Sequence, residues 1–162
     1  MIKKLLLKKS QGLPVVEKPK GLKSFLNCRV ENEGFLVNLK SVKELVELED
    51  IVPIPGAGDG ILGALNLRNE VVIIVDVRGK FQINEVRKTP LTRIIIVEIF
   101  LENESELFGI LIDEVKNIIQ VSKEQFAEKV ENGNELYESY INLDGQVCGV
   151  LDLKKVFFDY KV

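Results

Sequence analysis

The chain has 162 residues, 46% of them hydrophobic and 29% charged, with a net charge of −3 and no histidine. That balance excludes disorder and describes a folded protein, and a chain of this length buries roughly 70% of its unfolded surface as one compact domain or two small fused ones. No apolar run approaches the ~20 residues that cross a bilayer.

The charge is uneven. Residues 1–24 hold seven lysines and one glutamate, which leaves −9 on the remainder. An acidic body without interleaved aromatic and basic residues argues against nucleic acid as a partner. The opening MIKKLLLKK has an apolar centre of only Leu5–Leu7, against about 7–15 residues for a secretion signal, so a cytoplasmic location is expected. Gly12, Pro14, Pro19 and Gly21 lie among lysines, and residues 1–22 read as a basic tail ahead of a domain over 23–162. Cys28 and Cys148 stand alone, without CxxC spacing. Free thiols are expected at both.

In chain order, Phe25–Val30 and Phe35–Leu39 read as two strands joined at Glu31-Asn32-Glu33-Gly34, a glycine-containing hairpin turn. In Ser41–Leu48 the apolar residues Val42, Leu45 and Val46 fall near helical spacing. Ser41 followed by Glu44 has the form of a capping box, which predicts a short helix or a single turn. Ile51–Pro55 alternates apolar residues with prolines, an edge segment that cannot donate at either proline. Gly56–Gly60 is a loop. Ile61–Leu67 and Val71–Val77 flank the polar corner Arg68-Asn69-Glu70, and the second run, rich in Val and Ile, reads as a strand buried on both faces.

After a polar connector ending at Pro90, Arg93–Leu101 and Leu107–Ile112 are strand-like runs around the acidic turn Glu102–Glu106. Ser122–Glu131 is read as a short helix capped by Ser122 with Gln125 three positions on. Tyr140–Leu143 and Val147–Leu153 close the chain around Asp144-Gly145, followed by an apolar end at Val156–Phe158.

The two halves repeat. Leu65–Val71 matches Ile141–Val147 at an offset of 76, pairing Asn66 with Asn142, Asn69 with Gly145 and Asp76 with Asp152. Phe35–Val46 matches Phe108–Ile119 at an offset of 73. Two similar small β units are implied, about 23–82 and about 90–158, each too small for a sufficient core alone and so packed together, with strands open to exchange between them. Short strands at regular spacing fit barrels or a sandwich. Recurrence in both halves assigns Asn66, Asn69, Asn142, Gly145, Asp76 and Asp152 to turns and strand ends.

Catalytic chemistry finds no foothold. Without histidine there is no Ser-His or Cys-His nucleophile pair and no imidazole for a metal. The carboxylate groups Glu47/Glu49/Asp50 and Glu102/Glu104/Glu106 sit in polar stretches with no apolar pocket to raise a pKa. Gly56–Ile61 offers G-x-G but has Ile61 where a dinucleotide loop needs its third glycine, and no Walker A sequence occurs. No enzyme, metal or cofactor is expected. The chain reads as one that binds.

Pro53-Ile54-Pro55-Gly56, Gly63–Arg68, Val71–Asp76 with Arg78, Phe108–Val115 and Ile141–Leu153 together resemble the CheW family over about residues 24–158. The resemblance implies a mainly β fold of two intertwined five-stranded, SH3-like barrel subdomains with short helical turns. It also implies an adaptor that couples the cytoplasmic tips of chemoreceptors to the regulatory domain of the histidine kinase CheA, without membrane insertion. By position, the family's contact residues correspond to Arg68 and Glu44, with Leu39, Val42, Asn66 and Leu67 around them. The family usually has glycine where this chain has Asn69, and asparagine is the non-glycine residue that best tolerates positive φ. Other readings are an adaptor of a pilus-motility or gene-regulation kinase pathway, and a small-molecule-binding β-barrel.

Overall fold

The β-branched runs form strands, and most of them serve two cores at once. The structure, a computed structural model, describes residues 21–48, 51–83, 88–127 and 133–160; the basic tail lies outside these except for its last two residues. The described strands are β1 (Lys23–Val30), β2 (Glu33–Asn38), β3 (Val42–Glu47), β4 (Ile61–Leu67), β5 (Glu70–Val75), β6 (Arg93–Phe100), β7 (Ser105–Ile112), β8 (Glu114–Val121), β9 (Phe126–Ala127), β10 (Tyr137–Leu143) and β11 (Gln146–Leu151). A helix, α1 (Leu153–Asp159), follows them.

They make a six-stranded sheet in the order β8-β1-β2-β11-β10-β9 and a five-stranded sheet in the order β3-β6-β7-β5-β4. The sixth strand of the larger sheet is the two-residue β9. Neither sheet comes from one half of the sequence. The β1–β2 hairpin joins the β10–β11 hairpin through a parallel pairing of β2 with β11, and β5 pairs in parallel with β7. The halves are intertwined.

Because successive side chains in a strand point to opposite faces, alternate residues go to different cores. Val72, Ile74, Ile94, Ile96 and Leu111 fill the inside of the five-stranded sheet. Phe25, Leu36, Val121, Ile141 and Val150 fill the inside of the other. The residues between them, including Leu26, Cys28, Phe35, Val37, Val75, Ile95, Val97, Phe108, Ile110 and Leu151, meet in a shared seam where the two sheets pack. This is why antiparallel strands read as unbroken apolar runs: both faces are buried. The prediction for Val71–Val77 holds from Val72 onward, while Val71 itself is exposed.

The segment around Val52 bridges to Ala64 on β4, at the opposite edge of the five-stranded sheet from β3. Val52 N–H donates to Ala64 O at 2.9 Å and Val52 O accepts from Ala64 N–H at 2.8 Å, an edge pairing within Ile51–Pro55.

One predicted element is different. Ser41–Leu48 is not a helix; a 3₁₀ turn at Leu39–Ser41, capped by Asn38 accepting from Lys40 N–H at 3.0 Å, leads straight into β3. A β-bulge between Val42 and Glu44 inserts a residue into the ladder with β6. The bulge breaks the two-residue period, so Val42, Leu45 and Val46 imitate helical spacing while lying in a strand. Ser122 does cap a turn, but a 3₁₀ turn of three residues, with Gln125 Oε1 accepting from Ser122 N–H at 3.0 Å. Phe126–Ala127 of that predicted helix are strand, and residues 128–131 lie outside the described ones, as do Glu49 and Asp50. The apolar end Val156–Phe158 lies in α1, where Asp152 accepts from Lys155 N–H at 3.1 Å as the N-cap. Both cysteines are free, Cys28 fully buried in the seam and Cys148 half-buried. No described helix is long and apolar enough to cross a membrane.

Candidate functional site

The polar corner between β4 and β5 is a two-residue hairpin turn with positive φ at both central residues, 50° at Arg68 and 69° at Asn69. This is the primed geometry whose twist matches the flanking strands. Asn66 Oδ1 accepts from Asn69 N–H at 3.1 Å and pins the corner from inside. The β10–β11 corner repeats it. Asn142 Oδ1 accepts from Gly145 N–H at 2.7 Å, with φ of 51° at Asp144 and 92° at Gly145. The repeat therefore marks a shared turn device, and Asn69 takes the left-handed conformation expected of it. Arg68 adopts the same unfavourable region, which spacing alone did not indicate.

The turn holds Arg68 out of the sheet with 80% of its side chain exposed, and Glu44 on β3 reaches it. Arg68 Nη2 lies 3.1 Å from Glu44 Oε2, across two strands that are opposite edges of the five-stranded sheet. One salt bridge occupies one end of the guanidinium fork and orients it. The rest of the fork faces solvent, where a planar set of donors can take a carboxylate or backbone carbonyls. Beside it Lys43 Nζ meets Glu98 Oε2 at 2.5 Å, and that hydrogen bond holds the Glu98 carboxyl below its usual range.

Around this pair, Asn66 is exposed and Val42 and Leu67 are half-buried. Leu39 is buried in the inter-sheet seam, so it supports β3 from beneath instead of presenting a surface.

Asp76 and Asp152 end equivalent strands, and each makes an Asx contact. Asp76 Oδ1 accepts from Arg78 N–H at 3.0 Å, as Asp152 accepts from Lys155 N–H. Asp76 does more. Its Oδ1 also accepts from Arg78 Nη1 at 3.1 Å, while Arg78 Nη2 donates to Asp113 Oδ1. Arg78 is 2% exposed. Sequence reasoning missed this buried cluster, although Asp113 closing an unbroken apolar run was a visible signal that a charge ends inside the core.

A 500 Å³ cleft lies beside the cluster, lined by Asp59, Gly60, Lys80, Asp159 and Tyr160 among others. Tyr160 Oη donates to Asp76 O at 3.0 Å, and burial pushes its pKa up to about 12. Among the described residues no three acidic or thiol side chains gather as a metal site.

The family model for the CheW-like domain matches residues 24–160. The protein named chemotaxis protein CheW from Treponema pallidum is 27% identical over 129 residues, covering 77% of this chain and 76% of that protein. The protein of the same name from Rhizobium meliloti is 26% identical over 141 residues, covering 85% and 88%. Among solved structures, the scaffolding protein TtCheW from Thermoanaerobacter tengcongensis superposes with a TM-score of 0.76 at 22% identity, over 90% of this chain and 93% of that one. A fold match of that extent agrees with the two intertwined sheets, and a family match over nearly the whole described chain makes the assignment: this protein belongs to the CheW-like domain family.

Proposed function

We propose that the protein is a non-catalytic adaptor of chemotaxis signal transduction, working in the cytoplasm at receptor arrays. In this reading it joins the cytoplasmic tips of methyl-accepting chemoreceptors to the regulatory domain of a CheA-type histidine kinase. The observation that carries the reading is the Arg68–Glu44 corner in a chain whose relatives are named as chemotaxis CheW proteins. A recognition arginine is most effective when its rotamer is already restricted, because less entropy is lost on binding. Glu44 supplies that restriction at the free end of a rigid hairpin.

Receptor contact is assigned to Arg68, Glu44, Asn66, Leu67 and Val42, with Leu39 holding β3 in place under them. A basic segment over residues 1–22 and two pseudo-equivalent units of about 23–82 and 90–158 complete the proposed organisation.

The test is co-sedimentation of the full chain with a receptor cytoplasmic fragment and, separately, with a CheA-type regulatory domain. Capture by both supports the adaptor reading, and Arg68→Ala should lose the receptor while keeping the kinase. Failure to bind either removes this function from the protein; binding the kinase alone moves the client to another pathway.

A further inference from the structure

Among the described residues the two sheets share no hydrogen-bonded ladder. Their mutual orientation rests on the apolar seam, the chain crossings at Leu39–Ser41 and Asp113, and a few directional bonds. Apolar burial is non-directional, so a seam of Val, Ile, Leu and Phe resists separation far more strongly than it resists sliding.

Against that background Arg78 is unusual. It follows β5 of the five-stranded sheet and binds Asp76 at the end of that strand. Its other end meets Asp113, the single residue between β7 of one sheet and β8 of the other. Asp113 Oδ2 in turn accepts from Glu31 N–H at 2.6 Å, in the β1–β2 turn of the six-stranded sheet, and Asp113 N–H donates to Arg29 O at 3.0 Å. Tyr160, just past α1, attaches to Asp76 O. A continuous set of bonds thus runs from the C-terminal helix through one sheet to the hairpin turn of the other.

As a source of stability this cluster is poor. Two buried carboxylates face one guanidinium, and Arg78 Nε has no partner among the described residues. Desolvating such a group offsets most of its attraction, and apolar replacements of whole buried ion clusters are often neutral or stabilising. Its geometric specificity is high, because the planar fork fixes two acceptors at once.

We propose that Arg78, through Asp76 and Asp113, is a positioning residue that sets the orientation of the two sheets relative to each other. The inference does not depend on the adaptor reading. If that reading holds, a partner touching both sheets recognises the orientation that Arg78 sets.

The experiment uses the full chain in a Cys148→Ser background, with nitroxide labels at Glu47→Cys on β3 and Asn117→Cys on β8, both exposed positions on different sheets. Pulsed dipolar spectroscopy reads the distance distribution between them. The combined replacement Asp76→Asn, Arg78→Met, Asp113→Asn removes the charges and keeps acceptors for the Arg78 and Glu31 N–H groups.

The expected result is a melting temperature equal to or above the parent's with a broadened or shifted distribution. Arg78→Lys, which keeps the charge and loses the fork, should broaden it as well. An unchanged distribution in the combined variant, whatever its stability, overturns the proposal. A fall in stability with the distribution preserved would make the cluster an ordinary stabilising ion pair, which also overturns it.

Discussion

Arg68, in the β4–β5 turn, and Glu44, on β3 at the other edge of the same sheet, meet at 3.1 Å across 24 residues of sequence. The contact is exposed on the arginine side and half-buried on the glutamate side. Such a pair contributes little to stability and a great deal to the direction in which the guanidinium points.

Accordingly, Arg68→Ala and Glu44→Ala should each change the free energy of unfolding by less than about 1 kcal/mol in urea titration. Under the adaptor reading, calorimetric titration with a receptor cytoplasmic fragment should show Arg68→Ala weakening binding roughly 30-fold, which corresponds to about 2 kcal/mol. Glu44→Gln should show a smaller loss. Wild-type affinity in Arg68→Ala would remove Arg68 from the contact.

The two hairpin corners differ at one central residue, Asn69 against Gly145, and both positions have positive φ. Glycine avoids the Cβ penalty there, so Asn69→Gly should stabilise the protein by about 0.5–1 kcal/mol. Asn142→Ala removes the acceptor of the Gly145 N–H bond and should cost about 1 kcal/mol. Denaturation midpoints of the two variants should therefore move in opposite directions.

Gly149 on β11 lies under the ring of Tyr137, and a Cβ there would occupy the ring's position. Gly149→Ala should displace the ring, break the 2.7 Å bond from Tyr137 Oη to Glu33 Oε1 and destabilise by about 2–3 kcal/mol. Tyr137→Phe added to it should then cost less than Tyr137→Phe alone, because the bond is already lost. A double-mutant cycle measures that coupling, and strict additivity would contradict the account.

Alkaline pH should destabilise the fold in steps. Burial pushes the Cys28 thiol above its usual value of 9.0, and burial followed by the Glu33 hydrogen bond pushes the Tyr137 hydroxyl above 10.0. Tyr160 rises to about 12. Each folded pKa is above its unfolded value, so above pH about 9 the unfolded chain holds fewer protons than the native one and stability falls as pH rises. The stabilisation is complete below pH 9 and declines first through Cys28, then through the tyrosines. Burial also raises the Cys148 thiol, so in Cys28→Ala urea midpoints measured from pH 8 to 11 should lose part of the earliest decline and keep the share that Cys148 contributes.

The hairpin corners were legible in the sequence because their determinants are local. An asparagine three positions before the N–H it binds, and residues that tolerate positive φ between two apolar runs, specify a turn wherever they occur. The offset repeats were legible for the same reason, as was the two-faced burial of Val72–Val75, since a β-branched run without polar interruption has no solvent face. Resemblance to the family then named Arg68 and Glu44 as contact residues, and the tertiary structure brought the two together.

What only the tertiary structure decided lies in contacts between distant strands. Ser41 and Glu44 have the local form of a helix start, yet Val42–Glu47 zips onto β6, about fifty residues away, and a full ladder outweighs a weak helical preference. Nothing in the sequence states that β2 pairs with β11 or β5 with β7. The β7–β8 junction brings Asp113 onto Arg78 beside Asp76, and all three are buried. The sequence by itself determined where the chain turns and which residues must be buried, because backbone geometry and side-chain polarity act over a few residues. Which strands meet, and which charges are enclosed between them, is set by packing that no local window contains.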